Sequence, residues 1–168
     1  AANEELGMDE EALEEYGKSH ELEERHLPTL EGLSRLYEAR DEHERAFVIL
    51  QQISEEYAGD LEPDKLARLY VRQGEIKQAA GERRAAQDLY GRALDSSPSD
   101  TIALSKMIDV LKQAEDWEQM VEYQTRLAYA STDLTEQLKL LVDNGDVYSE
   151  KLGQVEAATE AYKAALVI

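Results

Sequence analysis

GERRAAQDLYGRALDSSPSD, residues 81–100, holds the pattern that decides the fold. It opens on Gly81 and has Ala86 five positions on, Tyr90 four later and Ala93 three after that, closing on Ser97-Pro98-Ser99-Asp100. Steps of three and four place Ala86, Tyr90 and Ala93 on one face of a helix. Pro98 stops that helix, and Asp100 stands where it can cap the next. The same arrangement recurs in DEHERAFVILQQIS (41–54) and LGQVEAATEAYKAAL (152–166), and more loosely in GMDEEALEEYGKSHEL (7–22) and EDWEQMVEYQTRLA (115–128).

The small-residue slot is filled by Ala12, Ala46, Ala86, Met120 and Ala158, at successive spacings of 34, 40, 34 and 38. A fixed period of 20 to 50 residues marks a stacked repeat. The extra residues of the 40 and 38 intervals are expected in loops, with Asp60-Leu61-Glu62-Pro63 marking the first. Each segment follows a partner helix: LPTLEGLSRLYEAR (27–40), DKLARLYVRQGEIKQAA (64–80), TIALSKMIDVLKQA (101–114) and LTEQLKLLVDNGDVYSEK (134–151). Within them Leu30, Leu33 and Tyr37, or Leu104, Met107, Ile108 and Leu111, share one face. Asp133-Leu134-Thr135-Glu136 has the spacing of a capping box.

These residues resemble the tetratricopeptide repeat (TPR) family over essentially the whole chain. Gly74, Gly81, Ala86, Tyr90, Ala93 and Pro98 carry the resemblance best, joined by Leu30, Leu33, Tyr37 and Ala46 and by Gly145, Tyr148, Ala158, Tyr162 and Ala165. The implied fold is all-α: a right-handed superhelical solenoid of antiparallel helix hairpins. It forms one domain over 1–168 with units 1–26 (partial), 27–63, 64–100, 101–133 and 134–168. Two helices approach closely only where a side chain is small, so Ala86 beside Gly74 and Ala158 beside Gly145 permit contact. Tyr90, Tyr148, Tyr162 and Trp117 fill the gaps as core. Gln73 and Lys77 depart from the pattern, as do Met120 and Leu127, which predicts looser packing there. The partial first unit and the apolar Leu166, Val167 and Ile168 suggest a stretch of a longer array, in which exposed terminal helices would drive self-association.

The formal charge of −19 repels phosphate backbones and anionic membranes, so nucleic acid is not an expected partner, nor is direct membrane insertion. With no cysteine, thiolate chemistry is excluded and the compartment stays open, the cytoplasm being favoured. His20 and His26 are six apart, which does not put them on one helical face, and His43 lies in a turn. No phosphate loop or triad spacing is present, so no catalytic, metal or cofactor site is expected.

The charge is uneven: the balance is −13 over residues 1–60, 0 over 61–100 and −6 over 101–168. By the resemblance, the first helix of each unit lines the concave side, which places there Glu31 and Arg35, then Arg68, Arg72 and Glu75, then Lys106 and Asp109, then Lys139, Asp143 and Asp146. Arg35, Arg68, Arg72, Lys106 and Lys139 are the candidate partner-binding residues. They either grip acidic groups or carbonyls of a bound peptide or pair locally with Glu31, Glu75 or Asp109. The clamp some family members use for chaperone tails is not supported, because Gly32 stands where it needs an asparagine. The resemblance implies a non-catalytic scaffold or adaptor, bacterial in type, binding a protein or peptide along the concave groove. A small acidic chaperone for a secreted substrate and the regulatory arm of a larger enzyme are the alternatives.

Overall fold

The computed structural model describes residues 26–168, and these form eight α-helices and no strand. Ala12, His20 and the partial unit 1–26, apart from its last residue, lie outside the described residues. The helices are α1 (Leu27–Ala39), α2 (His43–Glu56), α3 (Pro63–Ala79), α4 (Arg83–Ser96), α5 (Thr101–Gln113), α6 (Trp117–Ala130), α7 (Leu134–Glu150) and α8 (Val155–Ala165). Each packs against its neighbours in sequence, giving four antiparallel hairpins stacked side by side. This is the expected solenoid, in which every hairpin buries an apolar stripe that it could not cover alone. We call the first helix of each hairpin A and the second B.

The slot residues Ala46, Ala86, Met120 and Ala158 are each the fourth residue of their B helix, and all are buried. The turn from A to B is equally regular. It passes through a residue in the left-handed region, with φ of 57° at Asp41, 79° at Gly81, 57° at Glu115 and 66° at Gly153. Glycine adopts that conformation freely, whereas aspartate and glutamate do so at a steric cost.

The expectation that the extra residues lie in loops is corrected. Helix A has 17 residues in α3 and α7 against 13 in α1 and α5, which accounts for four residues of each excess. The α2–α3 link, residues 57–62, adds the remaining two of the first. Short and long A helices therefore alternate.

The close approaches follow the expected pairing. A Cβ built on Gly74 would lie 2.4 Å from Tyr90 Cε1, and one on Gly145 would lie 2.3 Å from Tyr162 Cε1. Helix register makes Ser34 and Leu50 the equivalent pair in the first described hairpin, and Ile108 and Gln124 in the third. In three of the four hairpins a small residue on A thus faces a large one on B, whereas Ile108 and Gln124 are both large. Trp117 and Tyr148 pack partly buried against the main core, and Ala93 is fully buried.

The departures do not loosen the packing. Met120 and Leu127 are buried in that same core. Lys77 lays its ammonium 4.4 Å from the centroid of the Phe47 ring and reaches Glu82 at 3.1 Å. Asp100 caps α5 as expected, accepting from Ala103 N at 2.8 Å, while Pro98 sits in the link and lends its carbonyl to Arg126. At α7 only half of the capping box forms. Asp133 accepts from Thr135 N at 2.8 Å, but Glu136 accepts instead from Ser131 Oγ.

Candidate functional site

Long and short A helices create two kinds of junction between hairpins. Where a long A helix follows, a buried amide clamps it to the preceding B helix. Gln73 Nε2 donates to Leu50 O at 3.2 Å and to Ser54 Oγ at 3.0 Å, and Asn144 Nδ2 donates to Val121 O at 3.4 Å and Thr125 Oγ1 at 2.9 Å. The sequence separations are 23 and 19 in both cases. At the α4–α5 junction Met107 takes the amide's place and is buried among apolar side chains. There the A helices α3 and α5 lie directly against each other, whereas α1 and α3, like α5 and α7, stand apart.

The A helices are nevertheless joined along one face by ion pairs. Lys65 Nζ lies 2.5 Å from Glu31 Oε1, Lys106 Nζ lies 2.5 Å from Glu75 Oε1, and Arg72 forks onto Glu38 at 3.0 and 2.6 Å with a further bond to Ser34 Oγ. A forked guanidinium–carboxylate pair fixes geometry as well as charge. The ladder settles where each basic candidate stands. Arg35 pairs within its helix with Glu31 at 3.5 Å, and Arg72 and Lys106 are engaged by neighbouring hairpins. Arg68 and Lys139, which hold equivalent places on the two long A helices, are exposed and have no ion-pair partner among the described residues. The five candidates share a face, but three of them hold the solenoid to itself. The signal for this was in the sequence, since Glu31 and Lys65, and likewise Glu38 and Arg72, are 34 residues apart.

Between α5 and α7 the ladder stops and a groove of about 470 Å³ opens. Leu127 and Ala130 from the end of α6 lie beneath it. Ile102, Ser105, Lys106 and Asp109 line one wall, and Thr132, Asp133 and Glu136 the other. Ile102 is 51% exposed, an apolar side chain presented to solvent on an A helix. Burial, with the charges of Glu75 and Asp109 adding to it, holds the Tyr90 phenol well above its ordinary range. Sequence reading places Lys106 and Asp109 on this face but misses Ile102 and Glu136. Neither matches a repeat position, and only the parting of α5 and α7 brings them together.

No protein-family model and no curated protein sequence matches the chain. Solved structures do. The crystal structure of MamA is 19% identical with a TM-score of 0.67, covering 98% of this chain and 91% of that one. YrrB, described as a TPR protein with an unusual peptide-binding site, is 18% identical with a TM-score of 0.65, over 97% and 79%. PilF of Pseudomonas aeruginosa is 15% identical with a TM-score of 0.63, over 92% and 72%. The chain has the TPR solenoid fold.

Proposed function

We propose that this solenoid is a non-catalytic interaction scaffold that seats a segment of a partner protein on its A-helix face, centred on the groove between α5 and α7. The observation that carries the reading is that groove. It is the place on the A face where two successive A helices part with no salt bridge between them among the described residues, and where an apolar side chain, Ile102, is left exposed beside hydroxyl and carboxylate groups. Binding sites combine such apolar surface with a few placed polar groups. Arg68 and Lys139, flanking on the long A helices, are the positions offered to carboxylates or main-chain carbonyls of the same segment. The unusual peptide-binding site described for YrrB agrees in kind with this reading.

The test is affinity capture by the tagged chain followed by mass spectrometry, repeated with Ile102→Glu and with Val48→Glu. Val48 is equally apolar and 60% exposed, but lies on the B helix α2. Partners lost with Ile102→Glu and kept with Val48→Glu support the A face. The reverse pattern would place the binding surface on the B helices and end the proposal.

A further inference from the structure

The two open junctions are copies of one another, so the first shows what belongs in the second. Helix register aligns α1 with α5 and α3 with α7, pairing Glu31 with Ser105, Arg35 with Asp109, Lys65 with Glu136, and Arg68 with Lys139. In the first junction a lysine ammonium on α3 spans the gap to a carboxylate on α1. In the second, α7 presents the carboxylate Glu136 where α3 has Lys65, α5 presents Ser105 where α1 has Glu31, and Asp109 replaces Arg35. Among the described residues neither Glu136 nor Asp109 has an ion-pair partner. Lys106, the cation on this wall, is already matched by Glu75, and Lys112, further along α5, is not among the residues lining the groove. The junction therefore keeps acceptors on both walls and lacks the cation that bridges its counterpart.

We propose that the α5–α7 groove receives a lysine or arginine side chain of the partner segment, its cationic head seated among Glu136, Asp109 and Ser105 and its alkyl stem or an adjoining aliphatic residue lying on Ile102. This rests on the A face being the binding face and names the chemistry of what binds there. A long basic side chain suits both halves of the groove, because its stem is apolar and its head charged. The charge balance agrees, since residues 101–168 carry a net −6.

The test uses the whole 168-residue chain, isotope-labelled for NMR, titrated with N-acetyl-leucyl-argininamide and with N-acetyl-leucyl-glutaminamide as the neutral control. The expected result is saturable shifts confined to residues 101–109 and 130–136. The arginine probe should bind about threefold to fivefold more tightly, as one exposed charge pair allows. Glu136→Gln should remove that preference. Ser105→Glu with Glu136→Lys, which rebuilds the Lys65–Glu31 bridge in the second junction, should abolish binding, while Glu118→Lys, at an exposed position of α6 that does not line the groove, should leave it unchanged. Circular dichroism of each variant separates lost binding from lost folding. Equal binding of both probes in the groove would overturn the cationic seat and leave the scaffold reading standing. Shifts spread over the acidic surface, weakened alike by Glu118→Lys and Glu136→Lys, or no shifts in the groove at all, would overturn the seat as well.

Discussion

Substituting Gly74 with alanine isolates the close approach of α3 to α4. The added methyl would sit 2.4 Å from Cε1, 2.8 Å from Cδ1 and 3.0 Å from Cζ of Tyr90, well inside van der Waals contact. The ring cannot swing away, because Tyr90 is fully enclosed and its hydroxyl donates to Gln78 Oε1 at 2.7 Å. Overpacking of this kind costs about 1–3 kcal/mol, and replacing a mid-helix glycine with alanine returns about 0.8–1 kcal/mol. The net expectation is a loss of up to about 2 kcal/mol, or a melting point lower by up to about 8 °C for a chain of this size. Gly91 in α4 is the control, since nothing lies within 4 Å of a Cβ built there. Gly91→Ala should therefore raise stability by about 0.5–1 kcal/mol. Tyr90→Leu, which copies the Ser34–Leu50 pair, removes the obstruction, and Gly74→Ala in that background should change from harmful to neutral or helpful. Far-UV circular dichroism during urea and thermal unfolding reads all four variants. If Gly74→Ala destabilises the parent chain and the Tyr90→Leu variant equally, the clash is not the cause and the packing argument fails.

Four other outcomes are expected. Glu115→Gly should stabilise the fold by about 0.5–1 kcal/mol in thermal melts, because it relieves a left-handed backbone that the equivalent Gly81 and Gly153 adopt freely. Glu38→Ala should cost under about 1 kcal/mol, the Arg72 pair being about a third exposed, and the loss measured by urea unfolding should shrink as salt rises. Gln73→Ala should cost about 2 kcal/mol through a cavity and lost hydrogen bonds, whereas Gln73→Leu should come near neutral in the same urea unfolding because Ser54 Oγ keeps its bond to Gln51 O. Burial, with Glu75 and Asp109 adding to it, raises the Tyr90 phenol above its ordinary 10.0. The neutral native form is thus favoured: its contribution is whole below pH 10.0 and is lost as pH climbs through the folded-state value. Melting points should fall as pH rises above 10.0, and less steeply in Tyr90→Phe.

The hairpins are legible in the sequence because their constraints are local. A helix face repeats at three and four residues, and a small residue must sit where two backbones meet. Ala46, Ala86, Ala158, Gly74 and Gly145 therefore announce themselves. What escapes depends on how one hairpin leans on the next. The extra residues read as loop because Asp60 and Pro63 are turn formers, yet most extend α3 and α7 by about a turn of helix. Gln73 reads as a defect because leucine is usual there, and its role emerges only with Leu50 O and Ser54 Oγ across the junction. The basic strip of Arg35, Arg68, Arg72, Lys106 and Lys139 does share one face. Which of its members are engaged depends on where the carboxylates lie: Glu31 one turn before Arg35, Glu75 on α3 for Lys106, and Glu38 a full period before Arg72.

Those separate corrections have one physical origin. A buried amide must find a partner, and Gln73 and Asn144 find theirs on the preceding B helix, fixing a long A helix where the A–A contact is open. Met107 makes no such demand, and at its junction α3 and α5 meet directly. The unit that repeats in three dimensions is therefore two hairpins, not one, and each double unit holds a clamped, open junction between its short and long A helices. The first such junction is closed by Lys65 and Arg72 reaching back to Glu31 and Glu38. At the second, Glu136 and Asp143 occupy those cation positions. Glu136 meets Ser105 in register where Lys65 meets Glu31, which turns that bridge into a pair of acceptors, whereas Lys112 takes the place of Glu38 and keeps a cation in register with Asp143. On that argument the location of the proposed groove follows from the alternation, and its proposed preference for a cation follows from the carboxylate of Glu136 standing where Lys65 stands in the first junction.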